Sequence, residues 1–328
     1  MSVDAAVLSR AIRSFQPDAR IVPFELHARY ARDYTTPAAV PEDVRSQLPF
    51  DFVFLLEHAH ANPPFLEPGF ARHVVYVPNV EWISPADEQI IESGRIHTVL
   101  LKTRYAAGVY AQMTSAKGVE SRQLFTGWTS RDIGTPIQGE RTWTQCLHVS
   151  GKSRQKHGDA VVSAWLSNPD FPPATIVATT QTTMDLSMPL RASANLTLRL
   201  HLLPEAELRA LQRQCGIHLC PSFAEGFGHS LNEARAAAAV LITTAGPPMD
   251  EMVEDGVSGI LVPVRPENHQ PYHLATAFVV TPEDLAASVR RALALTDGER
   301  AEMGQRARAR FEDERNQYHA RMRAFIEG

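Results

Sequence analysis

No apolar run in this 328-residue chain approaches the roughly 20 residues that span a bilayer, and the opening MSVDAAVLSR lacks the layout of a signal peptide. A cytoplasmic protein without a transmembrane segment is expected, although a peripheral membrane contact stays open. Cysteine is scarce. Cys146, Cys215 and Cys220 are odd in number, and the C-x4-C spacing of the last two has no second Cys or His pair to complete a zinc site. They are expected to be reduced, buried thiols. Strong charge of either sign is missing too: a formal net charge of -5 argues against a nucleic-acid partner and favours a small-molecule substrate. There is no internal repeat, no low-complexity tract, and no Asp-x-Asp pair to hold a divalent ion.

What the chain does hold is an ordinary globular composition, 44% hydrophobic and 21% charged, over a length that suits two domains. Leu8, Ala11, Ile12 and Phe15 recur at helical spacing behind Ser2 and Asp4, so the chain opens on a helix. Apolar runs at 20–24, 50–57, 73–79, 97–103 and 121–127 then suit strands of a parallel sheet covered on both faces. The Gly- and Pro-rich stretch 127–143 reads as a linker. Beyond it, strands are expected at 145–149, 174–179, 196–200, 217–221, 240–244 and 259–264, with helices between several of them. Thr281 and Pro282 mark the start of a helix over 281–295, and 299–327 is helical. The fold class is α/β, two doubly wound domains.

One stretch concentrates chemistry. In IHLCPSFAEGFGHSLNEARAAAAVLITT, a strand, a turn and a helix lead into another strand, forming one βαβ crossover. Open α/β sheets bind ligands at the carboxyl ends of their strands, where Glu225, Gly226 and Gly228 fall. A helix beginning near Ser230 aims free backbone N–H groups at that crevice, an arrangement that favours phosphate. For Glu233 a purely structural role competes, because Ser230-Leu231-Asn232-Glu233 fits the S-x-x-E capping box. Glu225 has no such role and reads as a ligand contact.

PSFAEGFGHSLNEARA, followed by AGPPMDEMVEDGVSGILVPV, resembles the donor-binding half of family-4-type (group 1) glycosyltransferases with two Rossmann-like domains facing a cleft, the GT-B fold. The resemblance carries the family's E-x7-E pair onto Glu225 and Glu233. It implies that Glu225 contacts the transferred sugar and Glu233 the ribose diol of a nucleotide-diphosphate sugar. Donor contacts are implied along the same turn at Gly226, Phe227, Gly228, Ser230 and Leu231. LHVSGKSRQKHGDAVVSAW (147–165) is similar to the family's basic diphosphate loop, with Lys152, Arg154 and Lys156 as candidates. Its spacing departs by a residue from the usual pattern, so which two of the three reach the phosphates is open.

GKS at 151–153 is no Walker-type phosphate loop, because Cys146 stands where the first glycine belongs. At the end of the strand 50–57, His58 and His60 are catalytic candidates, since many family members carry a histidine in a similar place. Trp82 and Trp128 could stack on a sugar, but burial is the ordinary state of tryptophan.

The resemblance implies a retaining, metal-independent transfer to an unknown acceptor, with the nucleotide sugar as substrate and no cofactor. Two alternatives are a nucleotide-sugar 2-epimerase of the same fold and a catalytically silent sugar-nucleotide-binding partner. The expected domains are 1–138 on the acceptor side, 139–305 for the nucleotide sugar, and a helix 306–328 returning to the first domain. Family members begin with a strand ahead of the first helix. Here that helix starts almost at Met1, so the first sheet is expected to lack its first strand, which is either lost or encoded upstream.

Overall fold

A computed structural model describes residues 2–23, 42–59, 63–136, 139, 141–178 and 195–328. The chain divides into two units. The first comprises Met1–Trp128, Tyr272–Ala275 and Arg315–Gly328; the second comprises Thr129–Pro271 and Thr276–Glu314.

The first unit opens on helix α1 (Val3–Phe15), where the Ser2 side chain accepts from the Ala5 N–H at 3.2 Å. That bond satisfies one of the donors a helix start leaves free. One face of α1 is buried through Val7, Leu8, Ala11 and Ile12, as its periodicity requires. A short α2 (Glu42–Arg45) leads into four parallel strands: β1 (Phe50–Glu57), β2 (Ala71–Pro78), β3 (Thr98–Leu101) and β4 (Arg122–Phe125). They lie in the order β1-β2-β3-β4. Helix α3 (Pro85–Glu92) links β2 to β3, and α4 (Arg104–Lys117) links β3 to β4. The apolar run at 20–24 is no strand over its described residues 20–23, which are irregular, and among the described residues the first strand is β1. RIVPF carries Pro23, which offers no N–H to a strand ladder and is ordinarily confined to sheet edges.

The second unit has six parallel strands in the order β10-β9-β8-β5-β6-β7. These are β5 (Thr142–Gly151), β6 (Ala174–Ala178), β7 (Leu196–Arg199), β8 (Cys215–Cys220), β9 (Val240–Thr244) and β10 (Ile260–Val262). The chain walks outward from β5 to β7, then returns to place β8 on the other side of β5. The sheet is therefore doubly wound, with its reversal between β5 and β8. At that seam Gly216 allows the close approach: a Cβ there would stand 2.4 Å from the Trp143 backbone.

Helices α5 (Gly158–Leu166), α6 (Glu205–Gln214), α7 (His229–Ala236) and α8 (Pro282–Ala294) cover the sheet, and α9 (Asp297–Glu327) counts with the second unit as far as Glu314. The core joins Cys146, Val161, Trp165, Ile176, Ile217, Ile242 and Val289. All three cysteines are free and buried. Among the described residues, no helix is long and apolar enough to cross a membrane.

Candidate active site

The reversal between β5 and β8 brings two loops together at the carboxyl ends of those strands. After β5 the chain makes a 3-10 turn, Arg154–Lys156, and closes it with His157 in the left-handed region at φ 58°. The loop after β8 docks on it: the Phe223 N–H donates to the Gln155 carbonyl at 3.0 Å. Thr243 and Thr244 on β9 hold the same loop from beneath, donating to the carbonyls of Cys220 (2.8 Å) and Ser222 (2.6 Å).

This framework fixes one of the three basic candidates. Lys156 Nζ donates to Glu225 Oε1 at 2.5 Å and to Ser230 Oγ at 2.9 Å. Both members of the ion pair are largely buried, with 17% and 11% of their side chains exposed. Burial works against the Lys156 charge, but attraction to Glu225 and the hydrogen bond donated to it outweigh that, so its pKa rises above the ordinary lysine value. Lys152 and Arg154 lie on the exposed side of the loop.

Gly226, Phe227 and Gly228 are buried between Glu225 and α7. Gly228 caps α7 at φ 94°, a conformation that strains any residue with a Cβ. The first bond of α7 runs from the Asn232 N–H to the Gly228 carbonyl at 3.1 Å, so His229, Ser230 and Leu231 have no intrahelical acceptor for their N–H groups. The Leu231 side chain is wholly buried. Any contact it offers a ligand comes from its backbone.

The capping box expected from Ser230 and Glu233 does not form. Gly228, not Ser230, is the N-cap, because its positive φ starts the helix two residues earlier. The Ser230 hydroxyl goes to Lys156, and Glu233 Oε2 accepts from Gln212 Nε2 at 2.8 Å. Burial pushes the Glu233 pKa above the usual carboxylate value, against the bond from Gln212 and the charges of His229, Lys156 and Arg131. The carboxylate is thus available for a ligand rather than committed to the helix start.

Sequence reasoning missed Gln212, although its signal was present: Leu208, Leu211, Gln212 and Cys215 share one helical stripe, and an amide stands in it among apolar residues. It also missed the bond of 2.8 Å between the Ser130 hydroxyl and His229 Nδ1, for which spacing 99 residues apart holds no signal.

In the first unit, His58 Nδ1 lies 3.3 Å from Asp87 Oδ2, and that bond, opposed by burial, raises its pKa. Asp87 also takes the N–H groups of Ala59 (2.6 Å) and Ser84 (3.0 Å), the latter as part of the α3 capping box. His58 is therefore tied to a structural carboxylate. His60 lies outside the described residues. Trp128 is buried, donating from Nε1 to Asp4 Oδ1 at 2.8 Å, whereas Trp82 is half-buried against Tyr272 and His273. Among the described residues, no three His, Cys, Asp or Glu side chains group so as to hold a metal ion.

Residues 191–310 match the family model of glycosyl transferases, group 1. That segment, less than half of the chain, is similar to group 1 glycosyltransferases. It contains Gln212, Glu225, the glycine turn and all of α7. The whole chain is similar in fold to the pneumococcal O-GlcNAc transferase GtfA solved with UDP and GlcNAc, at 18% identity and a TM-score of 0.66 over 87% of this chain and 58% of that one. It is similar to sucrose-phosphate synthase from Thermosynechococcus elongatus at 14% identity and a TM-score of 0.66, over 87% of this chain and 75% of that one. A trehalose-6-phosphate synthase studied for glycosyl transfer with retention matches at 13% identity and a TM-score of 0.63, covering 99% and 84% of the two chains. These likenesses establish the GT-B fold class, two Rossmann-like α/β units. No curated protein matches the sequence. Glu225 and Glu233, both inside the matched segment, bracket the helix start, and Lys156 reaches it from the loop after β5.

Proposed function

We propose that the protein is a glycosyltransferase that moves a sugar from a nucleoside-diphosphate sugar to an acceptor hydroxyl, with retention of configuration and without a metal ion. The observation that carries this reading is the cluster of Lys156, Glu225 and Ser230 at the sheet's reversal, beside the N–H groups at the start of α7. Lys156 and those N–H groups neutralise the departing diphosphate. Glu225 accepts hydrogen bonds from the hydroxyls of the transferred sugar, and Glu233 accepts them from the ribose diol. Each such bond to a charged group contributes roughly 1.5–3 kcal/mol.

In the transfer, the bond from the anomeric carbon to the diphosphate oxygen breaks and a bond from that carbon to the acceptor oxygen forms on the same face. The acceptor's proton passes to the leaving diphosphate oxygen. Arg154 and Lys152 extend the positive rim of the loop toward the phosphates.

Thermal-shift screening of UDP, GDP, ADP and dTDP, followed by incubation with the matching nucleotide sugars, tests the reading. A ligand at 100 times its dissociation constant adds about 2.7 kcal/mol to stability. The expected outcome is one stabilising diphosphate and slow release of free sugar from its sugar conjugate. Isomerised donor would point to an epimerase, and binding without turnover to a silent partner protein.

A further inference from the structure

Gln212 stands at the end of α6 with its backbone pinned. Its carbonyl accepts from His218 Nε2 at 2.8 Å, and the carbonyl of the next residue, Arg213, accepts from Arg141 Nε at 3.0 Å. His218 is buried and its pKa is pushed down to about 4, so it is neutral and carries its proton on Nε2, since a carbonyl can only accept. With the turn fixed in this way, the buried Gln212 side chain reaches toward α7. It meets Glu233 Oε2 at 2.8 Å. An ionised carboxylate accepts only, so the amide must present its NH2 and not its oxygen.

We propose that Gln212 is a positioning residue for the nucleotide site: its amide holds the Glu233 carboxyl group in the orientation that meets the ribose diol. This rests on the role given to Glu233 above. Other groups face that carboxylate. His229 lies on the same helix, Lys156 in the loop after β5, Arg131 in the segment before β5, and Cys220 at the end of β8. Burial pushes the Cys220 thiol up to about 12, so it adds no charge. Of the influences that oppose burial at Glu233, the Gln212 bond is the largest, ahead of His229, Lys156 and Arg131. It also fixes direction, which a distant charge cannot do.

The test measures binding of whichever of UDP, GDP, ADP and dTDP stabilises the protein most, for the wild type, Gln212→Met, Glu233→Ala and the double variant, from pH 5 to 8. Met keeps the volume and the backbone carbonyl but removes the donor. Gln212→Met is expected to weaken the nucleotide about tenfold or more, with KM for the donor sugar rising and kcat nearly unchanged. Its loss of affinity in acid moves to higher pH than in the wild type, because Glu233 then protonates more easily. In the Glu233→Ala background the substitution adds little.

If Gln212→Met does not unfold cooperatively, Gln212→Glu replaces it. Two carboxylates there share one proton, so its affinity is expected to improve on mild acidification, opposite to the wild type. An unchanged dissociation constant, an unmoved acid limb, or losses that add in the double variant would overturn the proposal. Glu233→Ala binding as tightly as the wild type is a different failure: it removes the role of Glu233 itself.

Discussion

Lys156 and Glu225, 69 residues apart in the chain, meet at 2.5 Å where the second sheet reverses its winding. Neither loop builds this contact alone, because each side chain is aimed by the loop the other does not belong to. The pair holds a cation at the place proposed for the diphosphate and a carboxylate at the place proposed for the sugar. Glu225→Gln keeps the shape and removes the charge. It is expected to abolish sugar transfer while leaving binding of the free nucleoside diphosphate within about threefold of the wild type. Isothermal titration beside a transfer assay reads both, and a variant that retains most activity rejects the assignment. Since Lys156 is left largely buried without its paired charge, the variant also loses on the order of 2–3 kcal/mol in urea unfolding.

Glu233→Gln should do the opposite to stability. The folded-state pKa of Glu233 lies above 4.5, so the fold prefers the protonated acid and its charge costs stability at neutral pH. That cost sets in as pH rises through the folded pKa and is absent below 4.5. With no capping role to lose, Glu233→Gln is expected to stabilise the protein by about 1 kcal/mol at pH 7, to show no gain near pH 4, and to weaken nucleotide binding about tenfold. Thermal midpoints at both pH values decide it. A destabilised variant at pH 7 shows that the carboxylate supports the fold after all.

Local signals in the sequence were legible and long-range ones were not. Thr281 and Pro282 announce α8, and the run Val240–Thr244 is a strand to the residue, because capping and burial are written in neighbours. The glycine turn announces the loop between β8 and α7. That Lys156 meets Glu225 was hidden, since it depends on His157 turning left-handed and on the Phe223 bond to Gln155. The capping box failed for a similar reason: Ser230 and Glu233 have the right spacing, but Gly228 starts the helix and partners from elsewhere claim both side chains. Strand order lies beyond a single sequence, so the reversal between β5 and β8 became visible only once the strands were paired.

Two buried histidines predict an acid-sensitive second unit. His148 donates from Nδ1 to the Leu219 carbonyl at 2.8 Å and His218 from Nε2 to the Gln212 carbonyl at 2.8 Å; burial pushes both pKa values down to about 4. Each is neutral when folded and gains a proton near pH 6.5 when unfolded, so the stability it contributes is complete above pH 6.5 and is lost as pH falls toward 4. The size is about 3 kcal/mol apiece. Urea midpoints should drop steeply between pH 6.5 and 4.5, and the combined His148→Gln, His218→Gln variant should flatten that slope. Equal slopes in the two proteins would reject the histidines as its source.

In the first unit, the carboxyl ends of three strands converge on a residue of α1. Asn79 follows β2, Lys102 follows β3 and Trp128 follows β4. Lys102 Nζ bonds to the Asp4 carboxylate and, at 2.7 Å, to Asn79 Oδ1, while Trp128 Nε1 donates to Asp4 at 2.8 Å and Lys102 stands 5.1 Å from the center of its ring. Asp4 and Lys102 are both buried, so removing one strands the other's charge away from water. Asp4→Leu is expected to cost about 3–5 kcal/mol, and adding Lys102→Met should recover most of that, because a buried ion pair contributes little beyond an apolar pair of similar size. With Trp82, Trp143 and Trp165 replaced by Phe in every protein compared, Trp128 fluorescence during urea unfolding follows this unit directly. A single variant as stable as the wild type, or a double variant no better than the single, would show that α1 is held by its apolar face through Val7, Leu8, Ala11 and Ile12 and not by the charge beneath its first turn.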